Sequence, residues 1–364
     1  MSGSQWHSFR LPCRLPCRLR RRAFMLGCRS FLPSVSSMSS TGAAPQRNLK
    51  GFLLSLTAAV MWGMLPVALK EVLSGMDATT IVWYRFLIAG VVLWVWLAAT
   101  KQLPRLASAP TLTKWFLLLA SASLCANYFF FSFSLNFVNG ETSEAVIQLS
   151  TLFLILGGVV IYREPFLAVQ KLGTLLIVGG LLLFFNERLF ELNSLENDQT
   201  VGVLIVVAAA ITWTVYALLQ KQLLKSYTPV QILSVIYAFS IAVLLPLVSP
   251  SLVFDLTPVQ FSLLAFCCIN TVIAYGCFAE AMSCWDASKV SAVLALAPLF
   301  TIGSLKITVF FLPDYAFSDR LGLLSIAGAV LLVIGSILTA LVPWLYQRRL
   351  QRRIDAAAAV DSLR

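Results

Sequence analysis

The chain has 364 residues, of which 59% are hydrophobic and 12% are charged, and its formal net charge is +11. Soluble domains average about a quarter charged residues, so this composition excludes an ordinary soluble protein and indicates a membrane protein. The basic excess lies at the two ends, because residues 51–346 carry 13 basic and 14 acidic side chains, and this argues against nucleic-acid binding, which requires a basic surface on the folded part.

Residues 1–50 form a basic N-terminal segment with nine Arg or Lys residues and no acidic residue. Two interpretations are favoured together: a disordered cytosolic tail, and a true start at Met38 that leaves a short basic leader. An organelle transit peptide is the alternative, because such peptides are rich in Arg and Ser, although no clear amphipathic helix pattern is present. Residues 347–364, which contain five Arg, are predicted to form a second basic tail in the cytosol.

Ten apolar runs lie between these tails. A spanning helix needs about 20 residues at 1.5 Å each to cross a hydrocarbon core of about 30 Å, and the runs meet this length, some of them narrowly. The sequence therefore predicts an all-α integral membrane protein with ten transmembrane helices. They are placed at residues 51–71, 80–99, 114–136, 143–161, 171–186, 201–222, 229–248, 258–281, 288–311 and 321–345.

The charges between the helices predict the orientation, since Lys and Arg concentrate on the cytosolic side. Alternate connections are basic and acidic, which places both termini in the cytosol. The basic connections, predicted to be inside, contain Lys101, Arg105, Lys114, Arg163, Lys171, Lys221, Lys225 and Lys289. The acidic connections, predicted to be outside, contain Asp77, Glu141, Glu187, Glu191, Glu196, Asp198, Asp255, Asp314 and Asp319.

The chain contains an internal repeat. The first predicted helix recurs 151 residues later, with Trp62 matching Trp213 and Lys70 matching Lys221. Further matches join Lys171-Leu172-Gly173 to Arg320-Leu321-Gly322 at an offset of 149, and Leu152-Phe153 to Leu299-Phe300 at an offset of 147.

Each repeat has five helices, so the second enters the membrane upside down relative to the first. We predict two inverted repeats, at residues 51–187 and 201–346. Inverted repeats are typical of secondary transporters, whose substrate site lies near the midplane between the halves and is exposed to each side in turn. A duplicated bundle that serves packing alone is the alternative.

Three short motifs add to this layout: Trp62-Gly63 in the first helix, Tyr84-Arg85-Phe86 in the second, and Tyr162-Arg163-Glu164 at the end of the fourth. Together with the duplicated ten-helix arrangement, they make residues 51–346 resemble the EamA family of the drug/metabolite transporter superfamily. The resemblance implies an inner-membrane carrier of small metabolites, amino acids or toxic compounds, often directed outward and often coupled to a proton or sodium gradient.

The sequence departs from the family pattern at two places. Thr151 stands where the fourth helix usually has Pro, although Pro298 is present in the second half. Phe311-Leu312-Pro313-Asp314 replaces the Gly-Glu type of ending. These departures bear on gating and leave the expected fold unchanged.

Lys306, well inside the ninth helix, is the strongest charged candidate for a substrate-site residue. Ionisable groups inside a bilayer cost roughly 2.5–3.5 kcal/mol on insertion scales, so each is a functional candidate. Lys306 could pair with a substrate carboxylate or with Glu280, which is itself a gating candidate unless it is simply exposed at its helix end. The alternative for Lys306 is a side chain that extends to the membrane interface along its four-carbon stem.

A second group of candidates lies near the predicted outer end. Glu144 and Gln148 are four residues apart on one face of the fourth helix, which favours a polar stripe facing the bundle. Glu144 is a candidate site for a coupling proton, or it is solvated at the helix end. Lys70, Glu71 and Arg85 are gating candidates, and the alternative is a structural ion pair of Glu71 or Glu144 with Lys70 or Arg85.

Aromatic and amide side chains complete the predicted solute site, because small-molecule sites are largely apolar with a few placed polar groups. Interface anchoring by Trp and Tyr, and helix bridging by Asn, are the alternatives. The candidates are Trp62, Asn127, Tyr128, Trp213, Tyr216, Asn270 and Tyr275.

The sequence predicts no enzyme, no metal site and no cofactor. Its one histidine, His7, is in the N-terminal segment, and H-E-x-x-H, C-x-x-C and nucleotide-binding motifs are absent. The expected partners are a small solute and the lipid bilayer. A membrane solute sensor or assembly partner without transport is a second hypothesis, and an organelle-envelope translocator is a third.

Overall fold

The structure is a computed structural model that describes residues 44–163, 167–186, 197–285, 287–319 and 321–339. Within these ranges all regular structure is helical. Met38, most of the predicted N-terminal tail, the whole predicted C-terminal tail and the acidic residues Glu187, Glu191 and Glu196 lie outside the described residues.

Ten membrane-spanning helices account for the fold of the described chain. Eight helical spans are long and apolar enough to cross a membrane, and two further apolar helices, α6 and α12, are shorter. This confirms the predicted all-α membrane fold. The first half contains α1 (Ala44–Val72), α2 (Ala78–Ala99), α3 (Thr111–Ser134), α4 (Gly140–Ile147), α5 (Leu149–Tyr162) and α6 (Ala168–Phe184). The second half contains α7 (Asp198–Leu223), α8 (Pro229–Leu244), α9 (Pro258–Cys284), α10 (Ala287–Leu294), α11 (Ala297–Phe311) and α12 (Leu323–Thr339).

The two halves begin their second helices in the same way. Asp77 caps α2, accepting a hydrogen bond from the Thr80 backbone N–H at 2.9 Å. Thr228, which is 151 residues further along, caps α8 in a capping box with Gln231. Side-chain acceptors of this type satisfy the free N–H groups of a first helical turn. The helix starts therefore share the offset of the Trp62 and Trp213 repeat.

The fourth and ninth spans are each broken, whereas the sequence predicted continuous helices over 143–161 and 288–311. Gln148 separates α4 from α5, and two residues separate α10 from α11. Pro298 accounts for the second break, because it has no N–H to donate to the carbonyl of Leu294. The first break has no such cause, since Thr151 occupies the corresponding position.

Glycines allow the last helices of the two halves to approach closely. A Cβ atom on Gly180 of α6 would lie 2.7 Å from Leu332 N of α12, and one on Gly328 would lie 2.4 Å from Phe184 N. Small residues of this kind let helix backbones meet inside membranes. The preceding residue, Gly179, has no atom within 4 Å of such a Cβ and faces away from this contact.

Candidate functional site

A cluster of aromatic rings lies where the two halves meet. Phe86 of α2 lies 4.6 Å from Tyr128 of α3 and 5.3 Å from Tyr237 of α8, measured between ring centroids. Tyr275 of α9 stacks on Tyr128 at 6.2 Å. Tyr216 of α7 is buried in the same group of contacts. We call Phe86, Tyr128, Tyr216, Tyr237 and Tyr275 the ring cluster.

The repeat axis passes through the ring cluster. Phe86 and Tyr237 are 151 residues apart, which is the offset that relates Trp62 to Trp213. Tyr128 and Tyr275 are 147 residues apart, the offset of the later repeat matches. A residue that touches its own repeat counterpart must lie beside the twofold axis. The ring cluster is therefore at the centre of the interface between the inverted halves.

Polar groups without partners are present within this apolar cluster. The hydroxyl groups of Tyr128 and Tyr237 are buried and make no hydrogen bond of good geometry with a described residue, although each lies close to another tyrosine hydroxyl of the ring cluster. Buried polar atoms in native proteins are almost always hydrogen-bonded, so unpaired ones call for an explanation. The two hydroxyls are available to hydrogen-bond a molecule that enters between the halves.

Arg85 adds a buried positive charge to the ring cluster. Its side chain is 3% exposed, and its guanidinium carbon lies 4.7 Å from the centroid of the Tyr128 ring. Its Nε donates a hydrogen bond to Thr271 Oγ1 at 3.1 Å. The predicted ion pair of Arg85 with Glu71 or Glu144 is not formed, since neither acid lies within 4.0 Å. A ring face and a hydroxyl hold this cation instead.

The helix breaks meet each other on the same axis. Gln148, at the first break, donates from Nε2 to the backbone carbonyl of Ala295, at the second break, at 3.3 Å. These two residues are again 147 positions apart. Broken helices leave free backbone groups, and in transporters with inverted repeats they commonly form the solute site. The polar stripe predicted for Gln148 thus faces the bundle.

Trp62 and Trp213 stand beside these breaks in equivalent positions. Trp62 contacts Tyr275 at 5.2 Å between ring centroids, and Trp213 packs against the ring cluster. The next residue in each helix contacts the helix that follows a break. Gly63 O accepts from Thr301 Oγ1 of α11 at 2.6 Å, and Thr214 Oγ1 donates to Ser150 O of α5 at 3.4 Å. The repeated tryptophans therefore connect the ring cluster to the broken helices.

The two candidate asparagines join helices to each other. Asn127 donates to the Ala209 carbonyl at 2.9 Å and so links α3 to α7. Asn270 donates to the Met61 carbonyl and links α9 to α1, while its own Oδ1 is buried and has no partner among the described residues. Asn127 is thereby used for helix bridging. Asn270 retains a free acceptor, five residues before Tyr275 in the same helix.

Glu144 of α4 is buried. It is 7% exposed, which corrects the alternative that placed it in solvent. Its carboxyl group makes no hydrogen bond or ion pair with any described residue. A buried carboxylate without a partner is costly, so this position favours the uncharged acid.

A group of polar residues joins the two halves at the end of the bundle where α4 begins. Asp319 accepts hydrogen bonds from Asn139 Nδ2 at 3.2 Å and from Thr142 Oγ1 at 2.6 Å. Glu141 accepts from Ser318 Oγ at 2.8 Å. These bonds join the start of α4 in the first half to the segment before α12 in the second half. We call these five residues the polar end cluster.

Lys70 extends the polar end cluster and corrects a second predicted ion pair. Its Nζ donates to the carbonyls of Leu135 and Val138, the latter at 3.1 Å, and no acidic oxygen lies within 4.0 Å among the described residues. A cation there stabilises the free carbonyls at the end of α3. Nearby, burial and the carboxylates of Glu71 and Glu141 raise the pKa of Tyr315 to about 12, so its hydroxyl stays protonated at neutral pH.

Lys306 and Glu280 are not part of this centre. Glu280 pairs with Lys50 at 2.6 Å, at the opposite end of the bundle from Lys70, and both side chains are about half exposed. The suggested pairing of Lys306 with Glu280 is therefore wrong. Lys306 is exposed and lines a separate cavity with Glu141.

Two members of the ring cluster were missed at the sequence level as site residues, although a signal was present for both. Phe86 belongs to the Tyr84-Arg85-Phe86 motif, and adding the repeat offset of 151 leads directly to Tyr237. Thr271, which binds Arg85, had no comparable signal. Neither motif spacing nor composition indicates which hydroxyl a buried arginine contacts.

Comparison with known proteins agrees with this architecture. The sequence profile of the EamA-like transporter family matches the chain twice, over residues 49–186 and 200–341. An uncharacterized transporter of Haemophilus influenzae is 40% identical over 296 residues, covering 81% of this chain and 96% of the relative. The uncharacterized inner membrane transporter YhbE of Escherichia coli K12 is 38% identical over 295 residues, covering 80% of this chain and 91% of the relative.

A solved crystal structure shares the fold at lower sequence identity. It superposes with a TM-score of 0.57 at 19% identity, and the match covers 80% of this chain and 96% of the other. Both halves of the chain match one family, and its relatives are named as transporters. The chain therefore belongs to the EamA-like transporter family and is a membrane transporter built from two inverted five-helix repeats.

Proposed function

We propose that this protein is a secondary active transporter that moves a small solute out of the cytosol across an inner membrane. The observation that carries the proposal is the ring cluster, which lies on the repeat axis and contains buried hydroxyl groups without partners. A site between inverted repeats can face either side of the membrane in turn. The E. coli relative, which is named as an inner membrane transporter, supports the location.

The ring cluster and the side chains packed around it are proposed to select the class of solute. Trp62, Tyr128, Trp213, Tyr216 and Tyr275 offer ring faces to an apolar or aromatic body, and the free hydroxyls and the Asn270 Oδ1 offer hydrogen bonds. Arg85 suits a solute that carries a negative or strongly polar group. Small metabolites, amino acids and drug-like compounds with both features fit this site.

Alternating access is proposed to involve the two ends of the bundle. The polar end cluster holds the halves together at the end predicted to be outside, and the pair of Lys50 and Glu280 does so at the opposite end. The described conformation is thus held by contacts between the halves at both ends of the bundle. The positive charges of the inner connections support a cytosolic position for both termini.

Glu144 is the proposed site for the coupling proton. A buried carboxyl without a counter-charge gains a proton easily and releases it when its surroundings become polar, as when the neighbouring end of the bundle opens. Coupling to sodium is the competing mechanism. It would require several oxygen ligands around one ion, and the isolated position of Glu144 favours the proton.

Flux through proteoliposomes tests the proposal. The purified full-length protein is expected to move a labelled amphipathic solute without ATP, under imposed proton and sodium gradients tested separately. A panel of amino acids and other metabolites covers the expected range. If the folded protein moves none of them, secondary transport is contradicted, and solute binding without flux would favour the sensor hypothesis.

A further inference from the structure

A cavity of about 250 Å³ lies beside the polar end cluster, away from the ring cluster. It is formed by the start of α4, the outer turns of α11 and the segment that leads into α12. Two of its lining residues carry opposite charges. The lining residues are Glu141, Ile302, Lys306, Val309, Ser318 and Leu321.

The two opposite charges share this cavity without pairing. Glu141 is 3% exposed, and its Oε1 accepts hydrogen bonds from Ser318 Oγ and the Asp319 N–H. Its Oε2 is buried and has no donor among the described residues. Lys306 Nζ has no acidic oxygen within 4.0 Å in the described chain. A buried carboxylate oxygen without a donor is suited to a ligand that brings an N–H group.

Apolar side chains close in sequence to the lining residues are strongly exposed. They are Ile307 by 62%, Phe310 by 79%, Phe311 by 74% and Leu323 by 89%. On spanning helices such side chains contact acyl chains. Lys306 is five residues from the end of α11, a depth of about 7.5 Å at 1.5 Å per residue. A lysine at this depth reaches the headgroup region along its stem.

We propose that this cavity binds the headgroup of phosphatidylethanolamine. The lipid phosphate lies against Lys306, and the primary ammonium group donates hydrogen bonds to Glu141 Oε2. Two carbon atoms separate phosphate from ammonium in this headgroup, so it spans two charges that do not touch each other. The acyl chains follow the exposed faces of Ile307 and Phe310. The proposal concerns binding alone and does not depend on the transport mechanism.

Phosphatidylcholine and phosphatidylglycerol each lack one half of this complementarity. The quaternary ammonium of phosphatidylcholine has no N–H to donate to Glu141. Phosphatidylglycerol carries the phosphate but no cation, and it leaves the buried carboxylate unpaired. A soluble zwitterion has the same two charges without acyl chains. A test must therefore distinguish binding of such a compound from binding of the whole lipid.

The unaltered full-length protein provides the first test, by native mass spectrometry in detergent with lipids of identical acyl chains. We expect phosphatidylethanolamine to bind about tenfold or more tightly than phosphatidylcholine, as the loss of a charge-assisted hydrogen bond implies. Its N-methyl and N,N-dimethyl derivatives should bind with intermediate affinity. Equal binding of the ethanolamine and choline lipids, or tighter binding of phosphatidylglycerol, would overturn the proposal.

Two substitutions provide the second test. Glu141→Gln should reduce the preference for phosphatidylethanolamine over phosphatidylcholine to about twofold or less, whereas Lys306→Met should weaken the binding of both lipids, because both carry the phosphate. Lys225→Met is the matched control, because that exposed lysine bonds only locally, to Gln222 at 2.7 Å, and its variant should keep the preference. Loss of the preference in the control as well would show a general charge effect and contradict the site. If a variant does not fold, the N-methyl series decides alone.

Soluble competitors separate the lipid from its headgroup. Free phosphoethanolamine and glycine are added at millimolar concentration to the protein with phosphatidylethanolamine bound. We expect neither to displace the lipid, because the apolar faces of α11 contribute to its retention. Displacement by either compound at concentrations comparable to the lipid would assign the cavity to a soluble zwitterion and overturn the lipid assignment.

Discussion

At Tyr128 and Tyr237, the effect of a buried hydroxyl group on folding stability can be measured separately from its effect on function. In a structure optimised for packing, a buried hydroxyl without a partner is a cost of roughly 1–3 kcal/mol. In a solute site the same hydroxyl gains its partner when the solute binds. Replacing tyrosine by phenylalanine removes the hydroxyl and little else, so it tests the two roles directly.

Tyr237→Phe is expected to leave the free energy of unfolding unchanged or raised, and to lower solute flux about three- to tenfold through one lost hydrogen bond. Tyr84→Phe is the control, since the Tyr84 hydroxyl donates to the Pro250 carbonyl at 2.8 Å. That variant should lose about 1 kcal/mol of stability and keep its flux. Thermal unfolding and proteoliposome flux measure both quantities. Normal flux in Tyr237→Phe would argue that this hydroxyl does not meet the solute.

Glu144→Gln should abolish proton-driven transport and preserve solute binding. Glutamine has the shape of the uncharged acid and cannot release a proton. Flux under an imposed pH gradient is expected to fall to the level without a gradient, while solute exchange at equal pH continues. Asp255→Asn, at an exposed connection, is the control and should behave as the unaltered protein. Gradient-driven flux in Glu144→Gln would remove the proton role.

The sequence predicted several residues that the structure brings close together, but it did not predict their partners. Trp62, Tyr128, Trp213, Tyr216 and Tyr275 were named from residue type and helix position, and the structure brings them into one region. The pairing of charges was wrong, because a lysine or arginine in a membrane finds carbonyls, hydroxyls and ring faces as readily as acids. Sequence spacing along one helix contains no information about those neighbours.

Among the helices, the broken fourth and ninth spans differ most from the sequence-based expectation. Pro298 gave a signal for the second break, since a proline inside a helical pattern frees the carbonyl four residues earlier. The first break occurs without proline at Gln148, whose amide is used by Ala295 in the other half. Its cause is a tertiary contact, and the local sequence could not indicate it.

The crossing of α6 and α12 gives a matched test of helix packing. Gly180→Ala places a methyl group 2.7 Å from Leu332 N, where backbone cannot move away easily. We expect a loss of about 1–3 kcal/mol in the free energy of unfolding, as for other overpacked sites. Gly179→Ala meets no atom within 4 Å and should be neutral or gain up to about 1 kcal/mol from helix propensity.

Thermal unfolding in detergent compares the two alanine variants under one condition. Equal midpoints for Gly180→Ala and Gly179→Ala would show that the helices can separate at this crossing without cost. Such a result would show that the contact between α6 and α12 can move and is not a rigid part of the fold.

For the molecule as a whole, the polar end cluster is expected to separate during each transport cycle. Thr142 Oγ1 and Asp319 Oδ2 are 2.6 Å apart and belong to opposite halves. Thr142→Cys with Asp319→Cys, in a background without the eight native cysteines, should bind mercuric ion between the two thiols. We expect flux to stop and to recover when a thiol reagent removes the metal.

The single-cysteine chains are the controls for this cross-link, and mercuric ion should leave their flux intact. Continued flux with both thiols bridged would show that this end of the bundle does not open. The same pair also reports orientation, because a membrane-impermeant thiol reagent should reach it only from the side opposite the termini.

The overall fold could be predicted from the sequence because two features that determine it are visible there. Apolar length sets the number of spans, and the repeat from Trp62 to Trp213 sets their inversion. The interface between the halves depends on residues that face each other across the axis. Only the counterparts at known offsets, such as Phe86 and Tyr237, could be found without coordinates.

The guanidinium group of Arg85 has no counterpart in the second half, since the residue 151 positions later is Ile236. The rings around the axis are therefore related by the twofold repeat, whereas the positive charge of Arg85 beside them has no counterpart. Under the proposed mechanism, we expect Arg85 of the first half to orient a solute with one anionic group in both access states, so that the solute presents a different end to each side of the membrane. Half-saturating concentrations should consequently differ between the two faces, while net flux at equal concentrations and without a gradient remains zero.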